Sequence, residues 1–79
     1  MNLVRHMNRI DVDPKVMGGK PVIKGTRIPV YLILDLLAAG YNAKKIVEEY
    51  PELKEEDVTA AVEYASEILK GEEIIKTEA

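Results

Sequence analysis

The chain of 79 residues contains no cysteine, one histidine (His6) and one serine (Ser66). Without cysteine there is no disulfide, and a single histidine cannot build a Cys/His zinc site, so both common staples of small domains are excluded. A domain of this size buries only about 60% of the surface its unfolded chain exposes, and is marginal without a staple or a partner. Dimerisation is therefore the expected route to stability, with a small local core as the alternative. A Ser-His-Asp arrangement has no support either, because Ser66 falls on the polar side of a helical pattern and His6 lies near the N-terminus. Long apolar runs are also missing. The longest, Val30 to Ala39, is ten residues and is broken by Asp35, well short of the roughly 20 needed to span a bilayer. Met1 to Met7 has no apolar core of the kind a signal peptide carries, and either methionine could be the first residue. No membrane partner and a cytoplasmic location are expected.

Charge is present and unevenly placed. The net charge is −3, yet residues 1–45 carry eight cations and three acids, giving +5, while residues 46–79 carry three cations and eleven acids, giving −8. Such asymmetry points to two surfaces with different partners. The acids Glu48, Glu49, Glu52, Glu55, Glu56 and Asp57 read as helix faces and termini rather than as a metal or acid–base site. No enzyme activity, cofactor or small-molecule substrate is expected.

The densest local signal is Gly18-Gly19-Lys20-Pro21-Val22-Ile23-Lys24-Gly25-Thr26-Arg27-Ile28-Pro29-Val30. Gly18-Gly19-Lys20 is too short for a phosphate-binding loop, which needs wider spacing and a following Ser or Thr. Val22-Ile23-Lys24 and Arg27-Ile28-Pro29 flank Gly25-Thr26, a spacing that predicts a hairpin with a primed turn and glycine at its first central position. Arg9 to Asp13 alternates and stops at Pro14, as a short edge strand does. Pro14 to Gly19 is then a turn, or one short helical turn carrying Val16 and Met17.

Three helices follow. Pro29 suits the first turn of a helix, Val30, Ile33, Leu34 and Leu37 recur at helical spacing, and Gly40 supplies a C-cap. This helix is apolar nearly all round, which marks it as the central core helix. Asn42 is an N-cap for a second helix with Ala43, Ile46, Val47 and Tyr50 on one face, ended by Pro51; Leu53 is expected to plug the core. A third helix starts near Glu55 and carries the stripe Val58, Ala61, Val62, Ala65, Ile68 and Leu69, with Glu55, Glu56 and Asp57 in its first turn and Gly71 as its stop. The acidic tail that follows has Ile74-Ile75 as its apolar pair. The boundaries expected are an N-terminal tail over 1–8, a domain over 9–70 and a flexible acidic tail over 71–79. A short second helix joined to the third through Pro51–Lys54 has the outline of a helix-turn-helix.

Asp13-Pro14, Gly18-Gly19-Lys20-Pro21-Val22-Ile23, Gly25 to Val30, Gly40, Tyr50-Pro51-Glu52-Leu53 and Glu56-Asp57-Val58 together resemble the domain of unknown function 433 family, whose members are similar to VapB-type antitoxins. The resemblance covers roughly residues 9–66. It implies a mainly α fold, a three-helix homeodomain-like helix-turn-helix with a short N-terminal β-hairpin. It also implies a homodimer and pairing with a PIN-like ribonuclease toxin. One position departs from the pattern: Lys54 stands before the third helix where Ser or Thr is common, which weakens capping by about 1 kcal/mol.

Two binding surfaces are expected from the residues. Operator DNA would meet the N-terminal half through Lys20, Lys24, Arg27, Lys44 and Lys45, with Arg5 and Arg9 as further candidates. The third helix is a poor major-groove reader, because Glu55, Glu56 and Glu63 would face phosphates. Arg27 has a second reading as an ion-pair partner of Asp11, Asp13 or Asp35. A cationic ribonuclease would meet the acidic tail, with Ile74 and Ile75 as anchors and Glu72, Glu73 and Glu78 as steering charges. The alternative is a structural or interaction dimer without DNA binding.

Overall fold

The computed structural model describes the backbone of residues 8–78 and the side chains of residues 8–71. The chain runs through β1 (Ile10–Asp11), β2 (Val22–Ile23), α1 (Val30–Ala38), α2 (Ala43–Glu49) and α3 (Glu55–Glu78). It is mainly helical, three helices with a short antiparallel β-pair at the N-terminal end, as the sequence predicts. No helix among the described residues is long and apolar enough to cross a membrane.

β1 and β2 pair antiparallel, with Ile10 opposite Ile23 and Asp11 opposite Val22. On its other side β2 meets the chain that follows it: Ile23 N–H donates to Ile28 O at 3.0 Å, Val30 N–H donates to Pro21 O at 2.9 Å, and Val22 bridges Pro29. Pro29 has no N–H to give, sits at the edge of this pairing and serves as the N-cap of α1. The turn differs from the sequence reading in register. It spans Ile23 to Thr26, closed by Thr26 N–H donating to Ile23 O at 3.0 Å, so Gly25 (φ 82°) is its second central residue rather than its first. The cause is Thr26, whose Oγ1 donates to Ile23 O at 2.8 Å and accepts from Ile28 N–H at 3.0 Å, which a primed two-residue turn would not allow. Upstream, Met17 to Gly19 form one tight turn with φ values of 52°, 66° and 88°; a non-glycine residue such as Met17 rarely adopts that left-handed region.

Local signals place the helix ends. Past α1, Gly40 (φ 102°) sends its N–H to Leu37 O and Tyr41 sends its N–H to Leu36 O, both at 3.0 Å. This is the paired geometry of a glycine C-cap. Asn42 Oδ1 accepts from Lys45 N–H at 2.8 Å and caps α2. Gly71, by contrast, does not stop α3, which continues to Glu78. A glycine ends a helix when it turns left-handed, and Gly71 is not among the residues of positive φ; within a helix it costs only about 1 kcal/mol.

The core gathers Ile23, Ile28, Val30, Ile33, Ile46, Leu53, Val58 and Ala61, with Ala60 also fully buried. Leu53 does plug it from the α2–α3 connection. Among the described residues a single polar side chain lies inside, Asp57, 5% exposed. Its Oδ1 accepts from Arg9 Nη1 at 3.0 Å and its Oδ2 accepts from Lys54 N–H at 2.9 Å. The second bond is the return half of a capping box, made by the acid in the first turn, and it compensates for the missing Ser or Thr at position 54. The first ties the residue before β1 to the start of α3.

Asp57 therefore carries both a cap and a cross-chain ion pair, and two substitutions separate them. Asp57→Asn keeps an acceptor for Lys54 N–H and is expected to lose about 1 kcal/mol; Asp57→Ala loses both bonds and is expected to lose about 2–3 kcal/mol. Urea unfolding followed by circular dichroism measures the difference; equal losses would show that the cap contributes nothing beyond the ion pair.

Candidate functional site

α3 is 24 residues, about 36 Å at 1.5 Å per residue. The helices that cover it, α1 with nine residues and α2 with seven, reach only about 14 Å and 10 Å on the same rise. The stripe read from the sequence is therefore divided. Val58 and Ala61 are buried, whereas Val62, Ile68 and Leu69 are 43%, 52% and 58% exposed. From Glu67 to Gly71 every residue is exposed, so the helix has left the body of the domain there.

Between the outer side of α3 and α1 runs an apolar recess of about 400 Å³. Pro21, Val30, Tyr31 and Leu34 form one wall, Tyr64, Ala65, Ile68 and Leu69 the other, and Lys20 stands at the rim. A second shallow depression of about 370 Å³ adjoins it, where Leu34, Val62 and Leu69 surround Ala65 and Ser66. The walls of the recess hold almost no polar surface that could orient a small ligand.

The polar counterpart lies beside Asp57. Asn8, Arg9, Lys24, Glu52, Lys54 and Asp57 line a cleft of about 400 Å³. Its three cations face two carboxylates, and Asp57 is already engaged by Arg9 and Lys54 N–H. The cleft holds no cluster suited to a metal, and among the described residues no group of three metal-ligating side chains comes together.

The five cations expected to meet DNA are all exposed but do not converge. Lys20 borders the apolar recess and Lys24 borders the polar cleft. Arg27 sits on the turn and makes no ion pair among the described residues, so neither Asp11, Asp13 nor Asp35 holds it. Lys44 and Lys45 are on α2, where Lys45 Nζ lies 3.8 Å from Glu49 and 5.3 Å above the Tyr41 ring. Arg9 is withdrawn into the pair with Asp57. Glu72, Glu73, Ile74 and Ile75 continue the helical backbone of α3; their side chains lie outside the described residues. Sequence reading missed two features: the role of Asp57, whose partner is 48 positions away, and the exposed stretch of α3 from Glu67 to Gly71. The second had a signal, since a helix pattern starting at Glu55 and sustained to Leu69 already outruns a nine-residue neighbour.

A three-helix domain with an N-terminal antiparallel pair and an uncovered apolar helix face is the class that this fold and surface define. The chain belongs to the DUF433 family: the model described as "Protein of unknown function (DUF433)" matches residues 10–65. The crystal structure of a DUF433 member protein from Anabaena variabilis superposes with a TM-score of 0.72 at 35% identity, covering 90% of this chain and 67% of that one. Among sequence relatives, the uncharacterized protein y4eO of Sinorhizobium fredii is 40% identical over 52 residues, 66% of this chain. An uncharacterized protein of Archaeoglobus fulgidus is 79% identical over 24 residues, 30% of this chain and 67% of its own length. The match spans only 24% of the Sinorhizobium protein.

Because Ala61 is fully buried one residue before the exposed Val62, the two sides of α3 should respond differently to added volume. Ala61→Leu is expected to lower stability by about 1–3 kcal/mol through overpacking, whereas Val62→Leu should change it by less than about 0.5 kcal/mol. Thermal melts of the two variants make the comparison, and equal effects would contradict the division of the stripe.

Proposed function

We propose that this protein is a non-catalytic binding protein, the antitoxin half of a toxin–antitoxin pair that neutralises a PIN-like ribonuclease. The observation that carries the reading is the C-terminal part of α3, exposed from Glu67 to Gly71. The helix leaves the three-helix body at Glu67, and its backbone runs on to Glu78 through the sequence Glu72-Glu73-Ile74-Ile75. A helix bearing carboxylates beside an apolar pair fits the groove of a protein whose own site is cationic because it holds RNA. The family resemblance supplies the kind of partner, and the −8 balance of residues 46–79 supplies the attraction.

The scatter of Lys20, Lys24, Arg27, Lys44 and Lys45 over the β2 region, the turn and α2 favours the reading without operator DNA over the reading with it. Phosphate contacts gain affinity when several cations track one backbone, and here Lys20 and Lys24 border different depressions.

Co-expression with the PIN-like protein encoded in a neighbouring reading frame tests the main reading. The full chain is expected to relieve growth arrest and to co-purify with the toxin, and truncation after Lys70 is expected to abolish both. A toxin that stays fully inhibited by the truncated chain would remove the C-terminal end from the mechanism. Glu72→Lys with Glu73→Lys is expected to weaken binding by about tenfold or more, with the loss shrinking as salt is raised.

For DNA, no mobility shift of the upstream region is expected even at low salt, where phosphate contacts are strongest. A shift that Arg27→Ala and Lys24→Ala weaken would restore operator binding to the N-terminal half.

A further inference from the structure

Three separate parts of the chain build the polar cleft at the start of α3. Asn8 and Arg9 come from the approach to β1, Lys24 from the turn after β2, and Glu52, Lys54 and Asp57 from the entry to α3. Hydrogen bonds tie the three cation-bearing residues into one unit. Arg9 Nη1 donates to Asp57 Oδ1 at 3.0 Å, Lys54 N–H donates to Asp57 Oδ2 at 2.9 Å, and Lys24 N–H donates to Arg9 O at 2.7 Å. The backbones carrying Lys24 and Lys54 are thus fixed around the Arg9 guanidinium, which is itself held. A site organised in advance gives up little conformational freedom when a ligand arrives.

Charge inside the cleft is unbalanced. Arg9, Lys24 and Lys54 face Glu52 and Asp57, which leaves one positive charge in surplus. Arg9 and Asp57 offset each other, so the two lysines share the single carboxylate of Glu52. Among the described residues neither lysine makes an ion pair, and the guanidinium spends one hydrogen bond, on Asp57. Its remaining N–H donors form a rigid fork that matches the oxygens of a carboxylate or a phosphate.

The lining residues select between these anions. None of them is apolar, so recognition here rests on charge and hydrogen bonding, with the Asn8 amide as a further donor. A phosphomonoester carries a charge of about −1.5 to −2 at neutral pH and three strong acceptor oxygens, one for each cation; a carboxylate supplies less of both. A nucleic-acid strand fits less well. Glu55 and Glu56 follow Lys54 directly and are exposed, so the neighbouring phosphates of a strand would meet carboxylates, whereas a single phosphate meets only the cations.

We propose that this cleft binds the phosphate group of a small phosphomonoester, with Arg9, Lys24 and Lys54 each taking an oxygen. The site lies at the opposite end of α3 from Glu72 and Glu73 and does not rest on the antitoxin reading. Its test uses the isolated full chain, so either idea can fail while the other stands. Isotope-labelled protein is titrated with glycerol phosphate and with inorganic phosphate, the ionic strength being held constant with chloride, and amide NMR shifts are followed. Saturable shifts are expected at Asn8, Arg9, Lys24 and Lys54 with both probes. Lys24→Gln combined with Lys54→Gln is expected to weaken binding by about tenfold or more. Lys44→Gln combined with Lys45→Gln removes the same charge from α2, outside the cleft, and should leave the affinity within about twofold. Glu52→Gln removes the competing carboxylate and is expected to tighten binding several-fold. All five side chains are exposed, so these variants keep the folded spectrum. Four results would each overturn the proposal: no saturable shift at the cleft amides, equal weakening by the two double variants, binding confined to inorganic phosphate, or the same shifts from a short single strand without a terminal phosphate.

Discussion

The buried carboxylate of Asp57 holds the two ends of the domain together. One oxygen takes the Arg9 guanidinium and the other takes Lys54 N–H, so a single side chain fixes both the start of α3 and the entry to β1. β1 in turn positions β2, and β2 hands the chain through Pro29 into α1. The net energy of such a pair is modest, because Arg9 keeps 35% of its side-chain surface exposed while Asp57 gives up nearly all of its hydration. Its value is geometric: removing either partner would leave the other without a counter-charge, and the β-pair has only two residues per strand to hold itself in place. Both oxygens of Asp57 are thus satisfied within the fold.

With about ten side chains in the core, the domain can cover only a short length of helix. This constraint explains the surface better than composition does. α1 and α2 bury the part of α3 from Asp57 to Ala61, Tyr64 still packs against the core, and from Glu67 to Gly71 the helix is exposed. The sequence over those turns is apolar on one side up to Leu69 and acidic beyond Gly71. Two different surfaces therefore lie in series on one helix.

What could be read from the sequence was whatever a few neighbouring residues decide among themselves. The caps at Gly40 and Asn42, the start at Pro29, the plug at Leu53 and the buried side at Val58 and Ala61 each depend on spacing within a turn or two. Failures came where a distant or side-chain partner decided instead. Thr26 hydrogen-bonds back to Ile23 and moves the turn register; Asp57 finds a partner 48 positions away. Gly40 and Gly71 illustrate the same limit. Both follow apolar helical stretches, but only Gly40 turns left-handed, because the chain there must reverse into α2, while nothing after Gly71 compels a turn. Periodicity reports which side of a helix is apolar but not how long its neighbours are, so the stripe from Val58 to Leu69 reads as continuous in the sequence and is divided in the fold. For the candidate cations, exposure was legible residue by residue and grouping was not, since the topology sends Lys20 and Lys24 to different depressions.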